Sequence, residues 1–334
     1  MTASIAVLGA GSWGTALAAH LARCQHSVTL WGRNPDYIRD IRESGCNRKY
    51  LPDVALPDNL SVSENLDATV SSAHIVLLAV PSAQFETTLD AIKPHLIARG
   101  NERATLVWAC KGLSGTRLLH EIVYAKFSDF CVPAVISGPN FAGELVRGLP
   151  TATTIASSSL PLAQRTGALF HNDYFRAYAS DDMVGVQLAG ALKNIYAIAT
   201  GVSDGLGFGA NARAALITRG MAEIRRLAVP MGASADTLLG LSGMGDLVLT
   251  CTDNQSRNRR FGLQLGKGAD FDTALQSVGQ VVEGAKAVQS ALQLAQTHQV
   301  ELPIASEVHA VLYEGRKAGD AVEMLLSRAP ANDV

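Results

Sequence analysis

Ile5-Ala6-Val7-Leu8 runs directly into Gly9-Ala10-Gly11-Ser12-Trp13-Gly14, and Thr15 to Arg23 continues with helical spacing. The four-residue apolar run is too continuous for a half-exposed strand and suits a central parallel one. Gly-x-Gly-x-x-Gly between such a strand and a helix has a physical reason for each glycine. They provide the tight turn, close approach of backbone to a pyrophosphate, and close packing of helix on strand. The helix start that follows offers free N–H groups and a positive dipole end to phosphates. The alternative is a glycine-rich turn that holds nothing. The placement favours a dinucleotide site.

The next segments keep the alternation of strand and helix. A second strand, Ser27-Val28-Thr29-Leu30-Trp31-Gly32, ends at Arg33-Asn34-Pro35. An acid usually stands about 20 residues past the fingerprint when the cofactor lacks a 2′-phosphate. Here Arg33 stands there, with no acid before Asp36. A guanidinium suits a 2′-phosphate through paired charge-assisted bonds, so NADP(H) is preferred, with NAD(H) the alternative. A solvated surface arginine is the competing reading. Further strands are expected at 74–80, ending at Pro81-Ser82, and at 104–110, delivering Lys111-Gly112. Others are expected at 134–137, leading into Gly138-Pro139-Asn140-Phe141-Ala142, and at 151–157 and 175–179. Open α/β sheets bind ligands beyond the carboxyl ends of their strands, which directs Lys111 and the Gly138 loop toward a site.

Strands stop near Asp181-Asp182, and everything after has helical periodicity. The expected fold is α/β, a Rossmann-type dinucleotide-binding domain over 1–181 followed by an all-helical domain over 182–334. The helical part opens on Val184 to Thr200, a run whose sole charge is Lys193. A lone buried ammonium costs several kcal/mol unless paired or neutralised. Ala189, Gly190, Tyr196 and Ala197 lie one turn away from it and are mostly small. Two readings stand: a structural lysine paired with a carboxylate of a neighbouring helix, or an amine beside a ligand. Ser203 to Gly209 is expected to break this helix from the next, Ala210 to Val229. Leu241-Ser242-Gly243-Met244-Gly245-Asp246 presents an isolated acid. Thr252 to Arg260 is rich in capping residues ahead of a helix at 261–265, and Ser256, Arg257 and Asn258 make a phosphate cradle or a solvated basic helix start. Gly279 to Gly284 reads as the loop before the last helices.

Composition excludes several classes. With 28 basic and 30 acidic residues and a net charge of -2, the chain has no electrostatic footprint for nucleic acid or an anionic membrane. Its five cysteines stand apart with no Cys-x-x-Cys pair, against both a disulfide framework and a zinc site. No charged leader precedes the first strand, and 184–200 is too short and too polar for a membrane span. A soluble cytoplasmic protein is expected. These features describe a nicotinamide-dependent oxidoreductase for a small phosphorylated or acidic alcohol. In it, a desolvated lysine moves the proton that accompanies hydride transfer.

Taken together, Gly9-x-Gly11-x-x-Gly14, Lys111-Gly112, Ser137-Gly138-Pro139-x-Phe141-Ala142, Leu192-Lys193-Asn194, Ser203-Asp204-Gly205, Gly245-Asp246 and Asn254 to Asn258 carry a resemblance. Over about residues 4 to 328 the chain resembles the bacterial-type NAD(P)-dependent glycerol-3-phosphate dehydrogenases. The resemblance implies interconversion of glycerol 3-phosphate and dihydroxyacetone phosphate, supply of glycerol 3-phosphate for phospholipid synthesis, and a homodimer. It makes Lys193 the general acid/base. Lys111, Gly138, Asn140, Asp246, Ser256 and Asn258 would contact substrate, with Arg257 shared between substrate and cofactor. Gly9, Gly11, Ser12, Trp13, Gly14, Arg33, Lys111, Ala142, Val281 and Glu283 would line the nucleotide. Asn140 departs from the Thr or Ser usual in the family, an amide in place of a hydroxyl. The rival readings are a 6-phosphogluconate- or hydroxyacid-type dehydrogenase and a non-catalytic NADPH-binding redox sensor.

Overall fold

The computed structural model describes residues 2–98, 104–127 and 131–328. They fall into two compact units, residues 1–110 with 119–183, and residues 111–118 with 184–334. Residues 1, 99–103, 128–130 and 329–334 of the expected domains lie outside the described ones.

The first unit begins β1 (Ser4–Leu8), α1 (Ser12–Arg23), β2 (Ser27–Trp31), α2 (Pro35–Ser44) and β3 (Leu60–Ser63). It continues with α3 (Leu66–Ser71), β4 (Ile75–Leu78), α4 (Phe85–Ile97), β5 (Ala104–Trp108) and α5 (Leu119–Phe127). The last elements are β6 (Cys131–Ser137), α6 (Ala142–Val146), β7 (Thr151–Ala156), α7 (Leu160–Phe170) and β8 (Phe175–Ser180). The strands form one eight-stranded sheet in the order β3-β2-β1-β4-β5-β6-β7-β8. Every pairing is parallel except β6 with β7, which is antiparallel. Its first six positions have the doubly wound dinucleotide-binding order. Leu8, Leu77, Leu78, Val107 and Trp108 are fully buried, the burial that continuous apolar strands require. One strand escaped the sequence reading. β3 is a four-residue edge strand, Leu-Ser-Val-Ser, too short and too polar to stand out before its pairing with β2 is known.

The second unit is helical: α8 (Met183–Gly205, entering the unit at its second residue), α9 (Gly209–Ala228), α10 (Ala235–Leu239), α11 (Asp246–Thr252) and α12 (Arg257–Gly266). Then come α13 (Phe271–Val278), α14 (Glu283–Thr297), α15 (Pro303–Tyr313) and α16 (Ala318–Leu326). α8 runs through Gly205, so the break expected from Ser203 starts about one turn later. A Cβ added at Gly201 of α8 would fall on the carbonyl oxygen of Arg259, and one at Gly262 of α12 on that of Ile198. The two helices therefore meet backbone to backbone, and only glycine permits it. α9 reaches α15 through Glu223, whose carboxylate accepts from the N–H groups of Ile304 at 2.6 Å and Ala305 at 3.2 Å. This caps the helix that Pro303 begins, although burial pushes the Glu223 carboxyl up to about 7.

The short segment 111–118 packs with the second unit, whereas the sequence reading ran the first domain unbroken to 181. The reason is apolar: Leu118 lies in the second unit's core and Leu113 packs against it. Among the described residues, no helix is long and apolar enough to cross a membrane.

Candidate active site

Within the second unit, α8 carries Lys193 into an almost solvent-free position. Its residue exposure is 6%, and Ala189, Tyr196 and Ala197, one turn away on the same helix, are buried as well. Its ammonium donates to Oδ1 of Asp246 and, at 2.8 Å, to Oγ1 of Thr250. The other carboxylate oxygen, Oδ2, accepts from Nζ of Lys111 at 2.7 Å. Asp246 is completely buried. It starts α11 directly after a π-helical turn over Leu241–Gly245. That turn is tight because Gly243 lies on the backbone of Leu238, which leaves no room for a Cβ. One turn on, Thr250 donates its hydroxyl to the carbonyl of Asp246 at 2.6 Å, so its lone pairs face Lys193.

Burial is the largest influence on Lys193 and lowers its ammonium to about 7, with Lys111 pushing the same way and Asp246 opposing both. Two lysines thus share one buried carboxylate. The carboxylate that Lys193 faces is that of Asp246, on α11.

The phosphate-cradle residues lie at the start of α12, which begins at Arg257, one turn ahead of the expected 261. Ser256 is its N-cap, with Oγ accepting from the N–H of Arg259 at 3.2 Å. Arg257 Nη1 reaches Oε1 of Gln280 at 3.2 Å. Asn258 is buried between helices. Its Nδ2 donates to Oδ1 of Asn194 at 2.9 Å and its Oδ1 accepts from the N–H of Gly284 at 2.9 Å. Those bonds tie α12 to α8 and to the first turn of α14, where Glu283 is the first helical residue and Val281 is exposed.

In the first unit the glycine loop has the geometry that its sequence demands. Gly9 has φ +118, and a Cβ there would lie 2.7 Å from the carbonyl oxygen of Ala79. Gly14 packs on the carbonyl of Gly9. At Gly11 a Cβ would meet nothing within 4 Å, so the space before α1 is open. α1 has no side-chain cap, and the nearby indole Nε1 of Trp13 is buried with no hydrogen-bond partner. Ser12 is its first residue and is half-buried. Arg33 is exposed after β2, just before an α2 capped by Oδ1 of Asn34, which accepts from Tyr37 N at 3.0 Å. The nearest acid in sequence, Asp36, pairs instead with Arg39 at 3.3 Å.

Gly138 sits against β7, where a Cβ would lie 2.9 Å from Cα of Thr153. Asn140 spends both amide hydrogens on backbone, donating to Ala152 O at 2.8 Å and Pro139 O at 3.0 Å. Its Oδ1 is buried without a partner. Ala142 opens α6. Sequence reasoning gave no role to Thr250 or Asn194. Thr250 follows Asp246 by four residues, one helical turn, and that spacing was the available signal. An apolar cavity of about 910 Å³ between α8, α9, α15 and α16 contains none of these groups. It is lined by residues such as Val202, Leu216, Val308 and Leu312, so the buried charges, and not this void, mark the chemistry.

Residues 4–163 match the family model for the N-terminus of NAD-dependent glycerol-3-phosphate dehydrogenase, and residues 182–323 match that for its C-terminus. The chain belongs to this family. A glycerol-3-phosphate dehydrogenase (NAD(P)+) of Thioalkalivibrio sulfidiphilus is 52% identical over 97% of this chain and 97% of its own length. One from Bartonella henselae is 50% identical over 97% of this chain and 95% of its own. The crystal structure of the Coxiella burnetii glycerol-3-phosphate dehydrogenase superposes with a TM-score of 0.93 at 45% identity, covering 98% of this chain and 99% of that one.

Proposed function

We propose that this member of the glycerol-3-phosphate dehydrogenase family interconverts sn-glycerol 3-phosphate and dihydroxyacetone phosphate by hydride transfer with NAD(P)(H). In the cell it supplies glycerol 3-phosphate for phospholipid synthesis. The observation that carries the reading is Lys193, a buried ammonium near its titration point, held on Asp246 together with Lys111. Residues 1–181 form the dinucleotide-binding domain and 182–334 the substrate domain, with 111–118 contributing to the latter's packing.

In reduction, the carbonyl gains a hydride at carbon and a proton at oxygen. Bound NAD(P)H supplies the hydride. Lys193 Nζ delivers the proton, while Asp246 and Thr250 fix the direction of its N–H bonds. Lys111 adds a second positive charge for the developing alkoxide. Arg257, Ser256, Asn258 and the positive dipole end at the start of α12 hold the phosphate, and Gly138 allows close approach from its loop. Asn140 has only Oδ1 left to offer a substrate hydroxyl. The open space at Gly11, the uncapped α1 and the unpartnered Trp13 indole fit a dinucleotide, with Gly9, Gly14, Ser12, Arg33, Ala142, Val281 and Glu283 completing its surroundings. The enzyme works in the cytoplasm as a homodimer, and light scattering that returns the mass of one chain would overturn the dimer.

The direct test is NADPH oxidation by purified protein with dihydroxyacetone phosphate, using 6-phosphogluconate-type and hydroxyacid substrates as controls. Turnover with dihydroxyacetone phosphate supports the reading, and its absence sinks it. NADP(H) preference rests on Arg33, an exposed guanidinium without an acid beside it. Arg33→Ala should raise the KM for NADPH by about 10- to 30-fold, the worth of a paired charge-assisted bond, and that for NADH by less than about threefold. Equal losses for both cofactors would mean that Arg33 does not read the 2′-phosphate.

A further inference from the structure

Arg259 joins three segments of the second unit that bear proposed site residues. Its Nε donates to the carbonyl of Cys251 at 3.0 Å, on the last turn of α11, the helix of Asp246 and Thr250. Its Nη1 donates to Oδ1 of Asn254, in the loop leading to Ser256. Its Nη2 donates to Oδ2 of Asp204, about three turns beyond Lys193 on α8. Arg259 is 6% exposed; its bond to the Cys251 carbonyl is buried, and those to Asn254 and Asp204 are partly buried. From α9, Arg213 takes the same carboxylate through Nε, at 3.2 Å from Oδ1 and 3.0 Å from Oδ2, and through Nη2, at 3.0 Å from Oδ1.

Each charge of the Asp204–Arg259 pair stands at the wrong end of its own helix. Asp204 is in the last turn of α8, where the dipole is negative, and α8 has no basic residue in that turn. Arg259 is in the first turn of α12, where the dipole is positive, and α12 has no acid there. Neither residue stabilises its own helix by its charge. The Arg259 charge is met by Asp204, which also pairs with Arg213, and that contact requires α8 and α12 to meet in one register. The glycine contacts already bring those backbones together, with Gly201 on the carbonyl of Arg259 itself, yet they do not reach the loop at 252–256. The Arg259 guanidinium ties that loop to the first turn of α12.

We propose that Arg259, held by Asp204, is a positioning residue that fixes the 252–256 loop and the start of α12, and through them Arg257, for binding of the substrate phosphate. The proposal rests on the assignment of Ser256 and Arg257 to that phosphate made above.

The test is a double-mutant cycle between Arg259→Met and Arg257→Ala, with kcat and KM for dihydroxyacetone phosphate measured at saturating NADPH. Arg259→Met alone should lower kcat/KM by about 30- to 100-fold, mostly through KM, as expected when a binding group is misplaced by an ångström or so. In the Arg257→Ala background it should cost less than about threefold more, because the group it positions is already gone. Equal losses in both backgrounds, or no loss on its own, would overturn the proposal. Asp204→Asn keeps the shape of the site and should raise KM by about 5- to 10-fold in the same non-additive way, so the cycle can be run with it should Arg259→Met not fold. Wild-type turnover separates the two readings. Without it the proposed function fails, whereas turnover with additive losses removes only the positioning role.

Discussion

Replacing Lys193 with methionine lowers turnover of dihydroxyacetone phosphate by about 10²- to 10⁴-fold, the range expected for loss of a positioned proton donor, while NADPH binding stays within about threefold. Methionine keeps an unbranched apolar stem of similar length in this buried position, so no large cavity opens. Asp246 is left paired with Lys111 through Oδ2, so the buried carboxylate does not become an isolated charge. The fold therefore survives, and what is lost is the amine. Lys111 does not replace it, because its Nζ lies on the opposite carboxylate oxygen. Steady-state kinetics and a fluorescence titration with NADPH make the check. Unchanged turnover would leave Lys193 as no more than the counterion of Asp246.

Lys193 was legible in the sequence because a single charge in a seventeen-residue apolar run is a local anomaly. The glycine loop was legible for the same reason, since strand, turn and helix start are contiguous and each glycine answers a local steric demand. Asp246 stood out as a lone acid after a glycine-rich turn, but its distance from Lys193 in space did not. Nothing local says that α11 faces α8. Thr250, Asn194 and Arg259 were hidden for that reason, because each acts through a partner on another helix, 57, 64 and 55 residues away. Asn140 shows the opposite failure. Its loop was found, but that its amide hydrogens belong to Pro139 and Ala152 depends on the antiparallel pairing of β6 and β7. The grouping of 111–118 with the helical unit turns on where Leu113 and Leu118 are buried, which periodicity over eight residues cannot indicate.

The second large effect is expected at Asp246, and it has a sign. Asp246 is the one influence among those acting on Lys193 that holds its proton, while burial and Lys111 both drive the proton off. Reduction consumes a proton from the lysine ammonium, so its rate falls as pH rises through the Lys193 value of about 7. Asp246→Asn keeps an oxygen acceptor of similar size but removes the negative charge. Lys193 then feels burial and the Lys111 charge without opposition, and its proton leaves at lower pH. The descending limb of kcat for reduction should move to lower pH by about one unit or more. At pH 7.5 turnover should drop by about 10²- to 10³-fold, combining the missing proton with the lost aim of Nζ. The variant has a way to remain folded, because a neutral Lys193 avoids two buried ammonium groups facing each other. A pH series of kcat decides the matter. A limb that stays in place, or moves to higher pH, would show that Asp246 is not what keeps Lys193 charged.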